Sequence, residues 1–282
     1  MLTRSCGLAM LLVAVSGCMP VRTTPPARTL ADVIAGDHRT EAFRARDRYR
    51  HPEQTLEFFG LRPDMNVVEV WPAPGWYTEI LAPYLRDQGN YTAAGFVVSW
   101  EGAPQYRRDE TKELRARLDA RPDLYDRVKV LELGKPDHWD AAPAGSADLV
   151  LTFRNVHNWL AGGYEKEMFN AFYRALKPGG ILGVVEHRAA PGTTVDVMKK
   201  SGYVTETLVI DTAEAAGFRL VEKSEINANP KDTKDYPEGV WTLPPSLTLG
   251  DKDRQKYLAI GESDRMTLRF MKPIVAGAGA PR

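Results

Sequence analysis

Apolar and polar positions fall into regular order from Asn66 onward. Residues 67–70 form a short apolar run holding one acid, Glu69. The tight segment Trp71, Pro72, Ala73, Pro74, Gly75 follows, and then apolar pairs four apart, Ile80 with Tyr84 and Leu81 with Leu85. That pattern predicts a strand, a turn and a helix, with Pro83 kinking or shortening the helix. Further strands are predicted over 91–98, 128–133, Ala147–Phe153, 181–186, 218–226 and 266–271. The fourth is nearly continuous in apolar residues, as a strand buried on both faces is. Between them, helices are predicted over 107–120, 164–176 and 204–216, the second stopped by Lys177, Pro178, Gly179 and Gly180 and the third by Gly217. Upstream, 29–59 reads as helix in two pieces split before His51 and Pro52. This alternation predicts an α/β, doubly wound, mostly parallel sheet over 29–272 as one domain, with a 273–282 tail.

Composition narrows the function classes. The 282 residues are 43% hydrophobic and 26% charged, with 37 basic and 37 acidic side chains. A chain with no basic excess is not expected to bind nucleic acid. Arg44, Arg46, Arg48 and Arg50 cluster, but acids sit among them, so a solvated helix face is expected. The first 17 residues read as a signal peptide: Arg4, then an apolar stretch over 8–15, then small residues ending in Cys18, as in a bacterial lipobox. Cys18 is expected to carry a lipid, with 18–28 as an extended tether. That places the protein in the bacterial cell envelope, held to the membrane and facing the periplasm. A mis-called start would make it cytoplasmic instead.

An acid at the end of a strand, followed by close backbone, suits a ligand with hydroxyls and an amine. Glu69 is therefore expected to touch ligand, the alternative being a carboxylate that caps the next helix. The five histidines are scattered without ligand spacing, so no metal site is expected. Residues 227–264 are rich in Pro, Asn, Asp and Lys and read as a structureless substrate lid carrying Asn227, Asn229 and Trp241. Glu262, Asp264 and Arg265 read as a structural charge cluster before the last strand.

These features together resemble the class I S-adenosylmethionine-dependent methyltransferases, over roughly 56–272. The resemblance rests on element order, the acid-ended first strand, and Leu176 to Gly180 before the fifth strand. It is nearer still to a predicted bacterial group with the segments E-x-W-P-x-x-G-W-Y (69–77), R-N-x-H-N-W (154–159) and G-E-S-D-R (261–265). It implies a seven-stranded sheet whose antiparallel last strand lies between the fifth and sixth. It also implies S-adenosylmethionine as cofactor, on Glu69, Trp71, Pro72, Ala73, Gly75, Glu101 and Asn155. The glycine motif departs from the family's: Trp71 and Ala73 replace two of three glycines, and the ribose acid, Glu101, falls several residues late. Family members often carry His-Asp-Trp where this chain has His157, Asn158 and Trp159. The resemblance thus implies His157 as general base, with Asn155 and His187 beside it; a histidine that only bonds a loop carbonyl is the alternative. The implied function is methyl transfer to a small-molecule hydroxyl or amine. The missing glycines, together with a leader pointing away from the cytoplasm where the cofactor is made, leave a second function open: a non-catalytic, lipid-anchored binding protein on the same scaffold.

Overall fold

The computed structural model describes residues 28–274. The expected signal peptide, the lipid on Cys18, nearly all of the tether and most of the tail lie outside them. Seven strands form one sheet: β1 (Asn66–Val70), β2 (Asn90–Gly95), β3 (Lys129–Glu132), β4 (Ala147–Phe153), β5 (Leu176–His187), β6 (Arg219–Ser224) and β7 (Arg265–Met271). Their order is β3-β2-β1-β4-β5-β7-β6. The first five run parallel, and β7 runs antiparallel between β5 and β6. This is the doubly wound sheet of the class I methyltransferase fold.

The helices are α1 (Leu30–Ala35), α2 (Glu41–Arg44), α3 (Asp47–Arg50), α4 (Pro52–Phe58), α5 (Thr78–Leu85), α6 (Gln105–Ala120), α7 (Pro122–Tyr125), α8 (Val156–Gly162), α9 (Glu165–Ala175), α10 (Val195–Ser201), α11 (Glu206–Ala215) and α12 (Arg254–Ile260). Alternate residues of each central strand feed opposite layers. Val68, Val70 and Val150 face α8, α9 and α11, while Val67, Leu149 and Leu151 face α1, α4 and α5. Both faces of β1 and β4 are therefore covered, which is why they read as apolar runs. The chain leaves β1 toward β2 and re-enters at β4 on the other side, so a crevice opens where β1 and β4 end.

Four expectations need correction. The Leu176–Gly180 turn is part of β5: Leu176 pairs with Ala147, the register then slips, and Ile181 pairs with Leu149. The 227–264 segment is not structureless, since it holds a 3-10 turn (Gly239–Thr242) and α12. Asn227 and Asn229 hold it down: Asn227 Nδ2 donates to the Thr55 and Thr267 hydroxyls, and Asn229 Nδ2 donates to the carbonyls of Ile260 and Glu262. Of the four clustered arginines, Arg44 and Arg48 are exposed as a solvated face requires, but Arg46 and Arg50 are not. Arg50 is 3% exposed, and it shares Glu262 with Arg46 and Arg265. The 29–59 stretch comes as four short helices; the split at His51, which sits in the left-handed region, is where proline places it.

Candidate active site

The end of β1 is bent by Trp71, whose φ of 50° is left-handed without being glycine. Its backbone N–H still donates to the Ala94 carbonyl at 2.7 Å. Its indole Nε1 donates to the Leu133 carbonyl at 2.9 Å, and the ring packs on Phe96 and Trp159 at centroid distances of 4.7 and 5.7 Å. The Arg107 guanidinium lies over the same indole at 4.7 Å. Trp71 is thus pinned aside as a wall. Beside it opens a cavity of about 460 Å³, lined by Glu69, Trp71, Pro72 and Ala73 from this bend, and by Arg154 and Asn155 among others from β4. That size falls within the usual range for small-ligand sites, roughly 300–1,000 Å³.

Glu69 is buried at the cavity's base. Its Oε2 accepts from the Tyr91 hydroxyl at 2.6 Å, with the Thr78 hydroxyl at 3.5 Å. Burial pushes its carboxyl up to about 7, against the opposing pull of those two hydroxyls. Its bonds run to the side chains of Tyr91 and Thr78 and, among the described residues, to no backbone N–H of α5, so it does not cap that helix.

The end of β4 repeats the bend. Arg154 has φ 61°, and its backbone N–H donates to the Val185 carbonyl at 2.7 Å. Asn155 then ties the two strand ends together: Nδ2 donates to the Val70 carbonyl at 2.9 Å and to Thr152 Oγ1 at 3.2 Å. In the first turn of α8, His157 Nδ1 lies 3.0 Å from Glu186 Oε1. The backbone N–H groups of His157 and His187 also reach that carboxylate, at 3.2 and 2.7 Å. A carboxylate ringed by N–H groups is an acceptor, so Nδ1 carries hydrogen and Nε2 keeps the lone pair.

His187 lies 5.3 Å from His157, ring to ring, and its Nδ1 meets the Ser263 hydroxyl at 2.5 Å. Burial first, then its neighbours His157, Arg154, Arg265 and Arg50, push its imidazolium down well below the usual range. It is neutral at ordinary pH. Donor atoms of His157, Glu186 and His187 come within 4.8 Å of one another, so the fold gathers what the sequence scattered. All three Glu186 contacts are already N–H bonds, which favours a positioned dyad over a ligand set.

The structure therefore brings Glu69, Trp71, Pro72, Ala73 and Asn155 to one cavity. His157 and His187 stand outside its wall; His157 packs edge-on against Trp241, which lines it, at 6.0 Å. Gly75 and Glu101 do not line it. Gly75, at φ 105°, faces α6, where an added Cβ would meet Leu114 and Arg117 at 3.2 Å. Glu101 is exposed in the loop before α6. The sequence reading missed Arg154 and Asn158, which sat inside its own 154–159 segment. It also missed Tyr106 and Glu110, one turn apart on α6, whose spacing was a usable signal.

No family model matches the chain, and no curated protein does. Solved structures do. A SAM-dependent methyltransferase from Aquifex aeolicus is similar with TM-score 0.53 at 16% identity, over 87% of this chain and 99% of that one. Phosphoethanolamine N-methyltransferase 2 of Haemonchus contortus, solved with S-adenosyl-L-methionine, has TM-score 0.54 at 14% identity, over 88% and 61%. The [4+2]-cyclase SpnF has TM-score 0.53 at 16% identity, over 87% and 93%. At such identities the likeness establishes the fold, and the activity must be argued from the site.

Proposed function

We propose that the protein is an S-adenosylmethionine-dependent methyltransferase acting on a small-molecule hydroxyl or amine. The observation that carries this reading is the open cavity beside Glu69, at the crevice between β1 and β4, with the His157–Glu186 dyad just outside its wall against Trp241. The residues present fit such a cofactor. Glu69 and the bend over Trp71–Ala73 suit its amino-acid end. Phe96 follows β2, where the family carries its ribose acid, and Tyr106 and Glu110 face the same cavity from α6 with the polar groups that hydroxyls need.

When bound, the cofactor supplies an electrophilic methyl group on sulfur. Asn155 fixes the spacing of the two strand ends that hold the reactants. Glu186 holds His157 in the tautomer whose Nε2 accepts the acceptor's proton as the new bond to carbon forms. Trp241 lies against both the cavity and His157, so its indole governs the approach of an acceptor to that nitrogen. General-base removal of the proton is worth roughly 10²–10⁴-fold, and positioning supplies the rest.

A second reading, a non-catalytic binding protein, draws on the wall made by Trp71, Phe96 and Arg107, which is aromatic where the family has glycine and an acid. Incubation with methyl-labelled S-adenosylmethionine and a low-mass host extract separates the two. Label appearing in a small molecule, and lost with His157→Gln, supports the enzyme. Cofactor binding without transfer to any acceptor favours the binder. The leader supports an envelope location with a lipid on Cys18. An intact mass of the protein from its own host, lacking 1–17 and carrying acyl chains, is the expected result.

A further inference from the structure

Four guanidinium groups, those of Arg46, Arg50, Arg154 and Arg265, gather under the end of β4 around one carboxylate, Glu262. Glu262 is fully engaged. Its Oε1 accepts from Arg46 Nε at 2.5 Å, and its Oε2 from Arg265 at 2.6 Å and Arg50 at 3.4 Å. Arg50 is further braced over the Trp76 ring at 4.6 Å. Asp264 is held by Arg188 and Lys234. Glu69, the other acid in range, already accepts from Tyr91 and is pushed toward its neutral form.

Arg154 is left over. Among the described residues its guanidinium has no hydrogen bond and no ion pair, yet it lines the cavity together with Asn158 and Trp241. Burial, then repulsion from Arg265, bring it down to about 10, so it still carries its charge. Its backbone is held left-handed, which a side chain resists and which clusters at functional positions. A planar fork of five N–H donors, charged, unpaired and facing a cavity, matches a carboxylate or phosphate.

We propose that Arg154 is an anion subsite of the cavity, taking the carboxylate or phosphate of the methyl acceptor. The same chemistry is carried by the cofactor's own carboxylate. The acceptor is favoured because Arg154 shares the cavity with Asn158 and with Trp241, whose ring packs on His157. The word acceptor rests on the methyltransferase reading; the anion subsite does not.

The test titrates inorganic phosphate, against chloride at equal ionic strength, into the wild-type protein, Arg154→Gln and Arg154→Lys. S-Adenosylhomocysteine and 5′-methylthioadenosine, which lacks the carboxylate, are titrated in parallel. Saturable phosphate binding by the wild type is expected, at least tenfold weaker in Arg154→Gln and intermediate in Arg154→Lys. Binding of both nucleosides is expected to be unchanged. Arg154→Gln is also expected to melt no lower than the wild type without phosphate, since one of four crowded cations is gone; a structural arginine would lower the melting temperature. Phosphate affinity that is absent in the wild type, or equal in Arg154→Gln, overturns the subsite. Loss of S-adenosylhomocysteine with 5′-methylthioadenosine retained gives the anion to the cofactor and overturns the acceptor assignment. Binding of neither nucleoside by the wild type defeats the methyltransferase reading, while phosphate still decides on Arg154.

Discussion

The ends of β1 and β4 are built alike and finished differently. Each strand ends in a large residue held left-handed, Trp71 or Arg154, whose N–H donates to the neighbouring strand at 2.7 Å. At β1 the side chain is satisfied within the protein: the indole has its carbonyl partner and three aromatic neighbours. Glu69, just before it, is bonded to Tyr91. At β4 polar groups are left open. The Arg154 guanidinium has no partner among the described residues, and His157 Nε2 keeps its lone pair while Glu186 holds the ring. The β1 end therefore reads as a rigid shelf, and the β4 end as the place where chemistry is left to a ligand.

The sharpest way to separate the two ends is to remove the group each is said to supply. His157→Gln should lower turnover by roughly 10²–10⁴-fold, with S-adenosylhomocysteine affinity within twofold of wild type. A parallel fall in affinity would mean that His157 supports the shelf instead. Glu262→Gln leaves Arg46, Arg50 and Arg265 without their shared carboxylate. Breaking a buried pair on one side costs about 3–5 kcal/mol, which chemical denaturation would read directly. A cost under about 1 kcal/mol would mean that water already screens the cluster.

The β1 end makes a pH prediction. Glu69 titrates about 7 in the fold and near 4.5 when unfolded, so the native state holds its proton more tightly. Its contribution to stability is complete below pH 4.5, falls as pH rises toward 7, and is gone above it. The difference is about 3 kcal/mol. Glu69→Gln should remove that slope from a plot of stability against pH, and an unchanged slope would refute the assignment. Trp71→Phe keeps most of the wall but leaves the Leu133 carbonyl unpaired. A loss of roughly 1–3 kcal/mol is expected, with the cavity retained.

Much of this was legible in the sequence, for physical reasons. Strands buried on both faces must be apolar, so β1 and β4 announce themselves, and period-2 and period-3.6 patterns order the rest. Glu69, Trp71, Pro72, Ala73 and Asn155 reach the cavity because strand ends carry ligands in such sheets. The convergence of His157 with Glu186 and His187 was only half visible, because it depends on β4 and β5 lying side by side, about 30 residues apart in sequence. Arg50 and Arg46 misled for a related reason: a charge run looks solvated until Glu262, over 200 residues away, is brought against it. Glu101 was expected from its nearness in sequence to the end of β2, but the loop turns it outward into solvent.

Everything rests on the hollow beside Glu69 accepting a sulfonium nucleoside against the Trp71 wall. Isothermal titration of S-adenosylhomocysteine into the purified protein tests this most directly. One site per chain is expected, weakened by a residue that fills the hollow, such as Ala73→Trp. Absence of heat and of any competing signal at millimolar ligand would contradict it.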